Sequence, residues 1–414
     1  MLGRVLDPDT PPVVRHHLAT VTVARLTTNA AYRYAPPFLA TIARGLDVSV
    51  AEMGVALAVT DLCGLSSPLI GRLVDRLPRR ASMGLGLAII GAGTALAAAS
   101  AGVVMFTVAL MAVSLAKIVF DVGLGAWIAD HVPFVRRSRI VGITETSWAL
   151  GLLVGVSTLG VVTALSSWRI AYVVASAAVV TMAVVVARRM PREPAAGHGT
   201  GGAGPVARLT ASGWCAVVGM FGLMSAAQTL FITFGPWLED EYDFGGIGLA
   251  AVTFGLGAIE LAASTTSAAR TDRWGKERSV VAGAAVMVPA GLALGAMDAR
   301  MIPGLLLLST FICAFEFSIV STIPIGGDLV PGAPARGLGT MLAFGTLGRA
   351  ITVIPATRLY DRFGLTPAAL MGAAFAALAG AAMVARLRLT HRSVVRGGPD
   401  RAATKRQNGV RQAR

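Results

Sequence analysis

Charge is scarce in this 414-residue chain: 14% of its residues are Asp, Glu, Lys or Arg, where a soluble domain carries about 25% to wet its surface. That deficit excludes a soluble globular protein. Cysteine is scarce too, and Cys63, Cys215 and Cys313 sit inside apolar segments without C-x-x-C spacing. They read as small core residues, so neither a disulfide framework nor a metal site is expected. Aromatics make up 6% of the chain, and only three lysines stand against 33 arginines. No H-E-x-x-H, G-x-S-x-G or G-x-x-x-x-G-K-[ST] is present, which argues against an enzyme and against an ATP-driven pump. The N-terminal stretch MLGRVLDPDTPPVVRHH lacks the apolar region and cleavage site of a signal peptide, so the first span itself is expected to direct insertion.

What the chain does have is apolar length. Apolar residues reach 55% and the mean hydropathy is +0.69. At about 20 residues per crossing there is room for roughly a dozen membrane spans. Apolar stretches bounded by charge, Pro or Gly predict spans near 18–43, 51–71, 81–100, 103–130, 139–163, 168–187, 210–238, 247–270, 279–297, 302–328, 337–357 and 366–386. The formal net charge of +14 does not signal nucleic acid. Every second gap is basic, from Arg72, Arg76, Arg79 and Arg80 through Arg188, Arg189 and Arg192 to Arg336, while alternate gaps hold isolated arginines or the acidic EDEYD at 239–243. Positive charge marks the cytoplasmic side, so twelve spans with both termini in the cytoplasm of a plasma-membrane protein are expected.

The Gly- and Pro-rich segment at 190–208 has no helical period and reads as a linker. The expected division is a cytoplasmic segment at 1–17, a six-helix bundle at 18–189, the linker, a second six-helix bundle at 209–387, and a basic tail at 388–414 that can touch anionic lipid. Internal repetition supports it. PPFL at 36–39 reappears as GPWL 199 positions on, Asp75-Arg76 as Asp272-Arg273 after 197, and DHVP at 130–133 as DLVP after 198. Two copies of a six-helix unit are how many transporters place a pathway between rocking halves.

After the second span comes GRLVDRLPRR at 71–80. This resembles the loop signature of the major facilitator superfamily, G-x-L-x-D-[RK]-x-G-[RK]-[RK], with Gly71, Leu73, Asp75, Arg76, Arg79 and Arg80 in place and Pro78 where the family has Gly. A weaker copy carries Asp272 and Arg273. The resemblance implies an all-α fold of twelve transmembrane helices in two pseudo-symmetric six-helix bundles, and a gate at this loop that holds one access state. In the fifth span, Gly151, Gly155 and Gly160 resemble the antiporter signature of drug exporters; packing of small residues against a neighbour is the alternative. Together these imply a small organic molecule exported in exchange for protons, with proton-coupled uptake or a non-transporting receptor as alternatives. No cofactor is expected, and a monomer is.

Charges inside the spans cost about 2.5 to 3.5 kcal/mol each even on lenient scales, so each needs a partner or a task. They are Arg25 and Arg33 in span 1, Asp61 in span 2, Lys117 and Asp121 in span 4, Glu145 in span 5, Glu260 in span 8, Glu316 in span 10 and Arg349 in span 11. Arg25, Asn29 and Arg33, spaced i, i+4, i+8, share one helix face, which is expected to look into a cavity. Lys117 and Asp121 stand at i, i+4 and can pair. Asp61, Asp121, Glu260 and Glu316 are the candidate proton carriers. Glu145 and Trp148 read as a gate or packing pair. Tyr32, Tyr34, Phe234 and Trp237 flank Pro36-Pro37 and Pro236, where the helices are expected to bend and the aromatics to anchor at the interface.

Overall fold

The computed structural model describes residues 11–132, 134–192, 209–327, 329 and 334–396, and contains only helices among them. Of the linker expected at 190–208, positions 193–208 lie outside the described residues, as do positions 397–414 of the basic tail expected at 388–414. The first span begins at α1 (Pro12–Arg33), whose Pro12 stands in the first turn where a missing N–H costs nothing. It ends before Pro36-Pro37, which remove two consecutive donors, and resumes as α2 (Leu39–Gly45). The second crossing is α3 (Val50–Leu62), a 3-10 turn at Cys63–Ser66, and α4 (Ser67–Asp75). Ser49 and Glu52 form a reciprocal capping box that starts α3. The third and fourth are α5 (Arg79–Ala98) and α6 (Val103–His131). The fifth is composite: α7 (Phe134–Leu150), a π-helical segment Gly151–Val156 and α8 (Ser157–Leu165). The sixth is α9 (Trp168–Arg189), capped by Ser167.

The second half is six unbroken helices, α10 (Ala211–Tyr242), α11 (Gly246–Trp274), α12 (Lys276–Met297), α13 (Met301–Gly327), α14 (Pro334–Phe363) and α15 (Leu365–Arg396). Four of them continue through an internal proline: Pro236, Pro289, Pro324 and Pro355. Helix α10 therefore does not unwind at Pro236. A lone proline removes one helical hydrogen bond, whereas adjacent prolines remove two in sequence.

Ten helices are long and apolar enough to cross a membrane, and Leu39–Gly45 with Val50–Ser66, bent by 111°, raise the number to 11. The remaining crossing is α1, made too polar for that test by Arg15, Arg25 and Arg33. Twelve crossings in two six-helix bundles result. Helix ends overrun the expected spans in several places: α1 starts at Pro12 rather than 18, α7 at Phe134 rather than 139, and α14 and α15 run to Phe363 and Arg396 rather than 357 and 386. Where the halves meet, α3 lies against α14, and α7, the π segment and α8 lie against α11. With an even number of crossings, the start of α1 and the end of α15 fall on one face, the near face; the opposite face carries the turn after α2 and the turn after α10.

Close approach is built from glycine. A Cβ at Gly155 would stand 2.3 Å from the Cβ of Ala30, and one at Gly151 2.7 Å from that of Asn29, so these two glycines let the fifth crossing lie directly on α1. Gly160 faces Phe38 and Ala250, the latter from the second half.

Candidate functional site

Counted at 1.5 Å per residue from the far end of each crossing, Arg33, Asp61, Lys117, Glu260, Glu316 and Arg349 lie about 16 to 23 Å in, and Arg25, Asp121 and Glu145 about 27 to 30 Å in, closer to the near face. Two ion pairs of the first group cross between the halves. Arg33 of α1 holds Glu260 of α11 through both terminal nitrogens, Nη1 to Oε2 at 2.9 Å and Nη2 to Oε1 at 2.6 Å. Nη1 also donates to the Trp148 carbonyl at 2.9 Å, and the guanidinium carbon stands 4.6 Å from the Trp148 ring centre. Glu260 is wholly buried. The two parallel bonds and the stacked ring supply the partners that a buried guanidinium requires.

The second crossing pair joins Asp61 of α3 to Arg349 of α14, Nη2 to Oδ1 at 3.1 Å. The Tyr32 hydroxyl donates to the same oxygen at 3.2 Å, and the Gln228 amide donates to Oδ2 at 3.3 Å. Asp61 and Glu260 lie 199 positions apart, the offset between PPFL and GPWL. They are therefore equivalent carboxylates of the two repeats, each held by an arginine of the other half.

A third cluster belongs to the first half alone. Lys117 Nζ donates to Asp121 Oδ2 at 2.7 Å, Arg25 Nε to Asp121 Oδ1 at 3.3 Å, and Arg25 Nη1 stands 2.8 Å from Glu145 Oε1. Glu145 thus joins the charged cluster where α7 packs on α1. The shared face of α1 is directed differently from the sequence expectation. Arg25 meets Glu145, Asn29 donates to the Ser147 hydroxyl at 3.3 Å, and Arg33 meets the Trp148 carbonyl. That face is a seam against α7, with Asn29 fully buried, because spacing fixes which residues share a face but not what the face meets.

Glu316 of α13 differs from the other carboxylates. It is buried, its hydrogen bond is from the Ser264 hydroxyl at 2.6 Å, and no cation lies within 4.0 Å of it among the described residues. Ser264 is one turn beyond Glu260 on α11.

The aromatic expectation is overturned. Tyr34, Phe234 and Trp237 are at most 1% exposed, so they pack inside the bundles rather than anchor at the interface. Tyr34 stacks on Phe38, meets Tyr172 edge-on, and shares a hydrogen bond with Thr163 at 2.6 Å. Tyr32 belongs to the Asp61 group.

At the far face, sequence reasoning missed a second set of bridges. Arg44 of α2 pairs with Glu239 and reaches Asp240 at 3.7 Å, while the Thr41 hydroxyl donates to Glu239 at 2.6 Å. The Ala51 amide donates to Asp361 at 3.0 Å and the Tyr360 hydroxyl to Asp240 at 2.9 Å. The acidic EDEYD opposite an otherwise isolated Arg44 was the available signal. At the near face, Arg79 donates to Asp130 at 2.9 Å and Arg80 to the Ala187 carbonyl, both within the first half. Arg76 and Arg273 are exposed, and the side chains of Asp75, Gly71 and Asp272 lie outside the described residues. Hydrogen bonds between the halves, where both partners are described, run from mid-depth to the far face.

Two helical repeats meeting along a charged seam within the membrane define an integral membrane protein of the two-bundle transporter class. The Major Facilitator Superfamily profile matches residues 21–331, so the chain belongs to that family. It is 22% identical over 365 residues to the uncharacterized MFS-type transporter YwfA of Bacillus subtilis (strain 168), covering 83% of this chain and 85% of that one. Among solved structures it resembles a D-xylose-proton symporter, with TM-score 0.75, 14% identity and coverage of 90% and 97% of the two chains. It also resembles a bacterial homolog of the human lysosomal transporter Spinster in an inward-facing and occupied conformation, with TM-score 0.71, 14% identity and coverage of 91% and 97%.

Proposed function

We propose that this protein is a proton-coupled secondary transporter that carries a small organic molecule by alternating access, working as a monomer in the plasma membrane with both termini cytoplasmic. Sidedness follows from the arginine-rich near face. The observation that carries the coupling is Glu316. Asp61, Asp121 and Glu260 each have a cation, so a proton taken up there breaks an ion pair; Glu316 has a hydroxyl, and can gain or lose a proton without that cost. Ionised, it places a second carboxylate beside the Arg33–Glu260 pair and competes for the guanidinium. Protonated, it leaves that pair intact. The proton thereby biases one of the two mid-depth ion pairs that join the halves.

The bridged far face supports an inward-facing state, with the near face as the side from which the centre is reached. Export in exchange for protons is the working direction, drawn from the likeness of Gly151, Gly155 and Gly160 to the antiporter signature. Symport is the alternative, and one assay separates the two. Purified protein in liposomes is loaded with candidate metabolites and given a pH gradient of either sign. Antiport requires substrate and protons to move oppositely, symport together. Glu316→Gln should abolish the response to the gradient while exchange of labelled for unlabelled substrate continues. A gradient response equal to wild type removes Glu316 from the role.

A further inference from the structure

Asp61 is surrounded by donors from three helices, Tyr32 of α1, Gln228 of α10 and Arg349 of α14. The set suits a carboxylate, but Asp61 fills it loosely. Arg349 uses a single nitrogen at 3.1 Å, its Nε is buried without a partner, and a fifth of its side chain remains accessible. Arg33, by contrast, grips Glu260 with two nitrogens. A guanidinium is a rigid fork matched to two carboxylate oxygens, so a fork engaged at one nitrogen has an unused edge. Arg25 shows that an arginine in this protein can serve two carboxylates at once, Asp121 through Nε and Glu145 through Nη1.

We propose that Arg349 is the anchor for a carboxylate of the transported molecule, and that Asp61 is a built-in placeholder on it in the unloaded state. The inference rests on the transport reading above and supplies its substrate class, a small organic carboxylate. The incoming group takes the Nε–Nη2 edge. Asp61 gives up Arg349 and keeps the Tyr32 hydroxyl and the Gln228 amide, two donors that go on satisfying its oxygens when the arginine turns to the incoming group. Because the Asp61–Arg349 bond joins the halves, loading the site loosens the interface at the point where substrate arrives.

The test is binding without any gradient. The melting temperature of the purified protein is followed against lactate, benzoate and hexanoate, each beside its amide. At least one acid should raise the melting temperature saturably while its amide does not. Asp61→Asn, which removes the placeholder and keeps Arg349, should lower the half-saturating concentration about tenfold, as expected if the free site is populated about a tenth of the time in the unaltered protein. Arg349→Lys keeps the charge opposite Asp61 but lacks the fork, and should lose the shift while remaining folded. The double variant Asp61→Asn/Arg349→Gln should lose it without stranding a charge. Amides as effective as acids, an unchanged or weaker affinity in Asp61→Asn, binding retained in Arg349→Lys or the double variant, or no shift by any of the three acids would each overturn the proposal. An acid that binds but is not carried by liposomes refutes transport and leaves the site standing. Amines carried under a pH gradient, with no acid bound, do the reverse.

Discussion

Arg33 and Glu260 show what a buried charge needs from its surroundings. Glu260 has no exposed surface and Arg33 is 9% exposed, yet each charge makes at least two hydrogen bonds. Replacing one member leaves the other uncompensated, which costs about 3 to 5 kcal/mol in a buried pair. Glu260→Leu should therefore lower the melting temperature sharply, and Arg33→Met/Glu260→Leu should recover most of the loss. Calorimetry or intrinsic fluorescence on the three proteins reads this; a double variant no better than the single one would show that the pair does more than balance charge. Each of these charged residues stood out in the sequence, because any ionised group inside an apolar run does. Their partners did not. Depth along a helix follows from counting residues, whereas the azimuth that brings Arg33 to Glu260 depends on how the halves dock. One pairing rule was within reach, since the 199 positions between Asp61 and Glu260 repeat an offset already visible in PPFL and GPWL. Gln228 was missed because a lone neutral amide in an apolar helix carries no charge to betray it.

The asymmetry of the two halves lives in the helices themselves. The first half breaks at the turn before α2, at the 3-10 turn after α3 and in the π segment after α7, whereas the six helices of the second half run through four prolines. The π segment coincides with Gly151 and Gly155, which seat the fifth crossing against Ala30 of α1. A widened helical turn with no side chain brings two backbones together and carries α8 onward to α11. Both glycines thus have a packing role at this seam. Gly155→Val should overpack the seam and destabilise by about 1 to 3 kcal/mol, read as a fall in melting temperature. Gly84→Ala is the matched control, since a Cβ there meets nothing within 4 Å. Equal tolerance at both positions would contradict the packing account. The existence and order of these crossings were legible from apolar length and from the alternation of basic gaps. The interruptions were not, because 3-10 and π turns are settled by tertiary neighbours rather than by local preference.

At the scale of the whole molecule, the two bundles behave as bodies tied at the centre and at the far face. The central ties are the two ion pairs whose carboxylates, Asp61 and Glu260, are repeat-related; the far tie is Arg44 and Thr41 on Glu239, with the Ala51 amide on Asp361. For the centre to be reached from the far side, this latch has to part: Arg44 is 60% exposed and can be taken up by water, whereas Glu239 is buried. Fixing the latch covalently should then arrest the cycle. In a variant lacking Cys63, Cys215 and Cys313, Thr41→Cys with Glu239→Cys places two thiols where a hydrogen bond now spans 2.6 Å. A short bifunctional thiol reagent should join them, abolish transport in liposomes, and leave thiols introduced at the near face open to labelling. A cleavable form of the reagent should restore transport on reduction. Undiminished transport by the joined protein would mean that the far face never opens, and would refute alternating access through this interface.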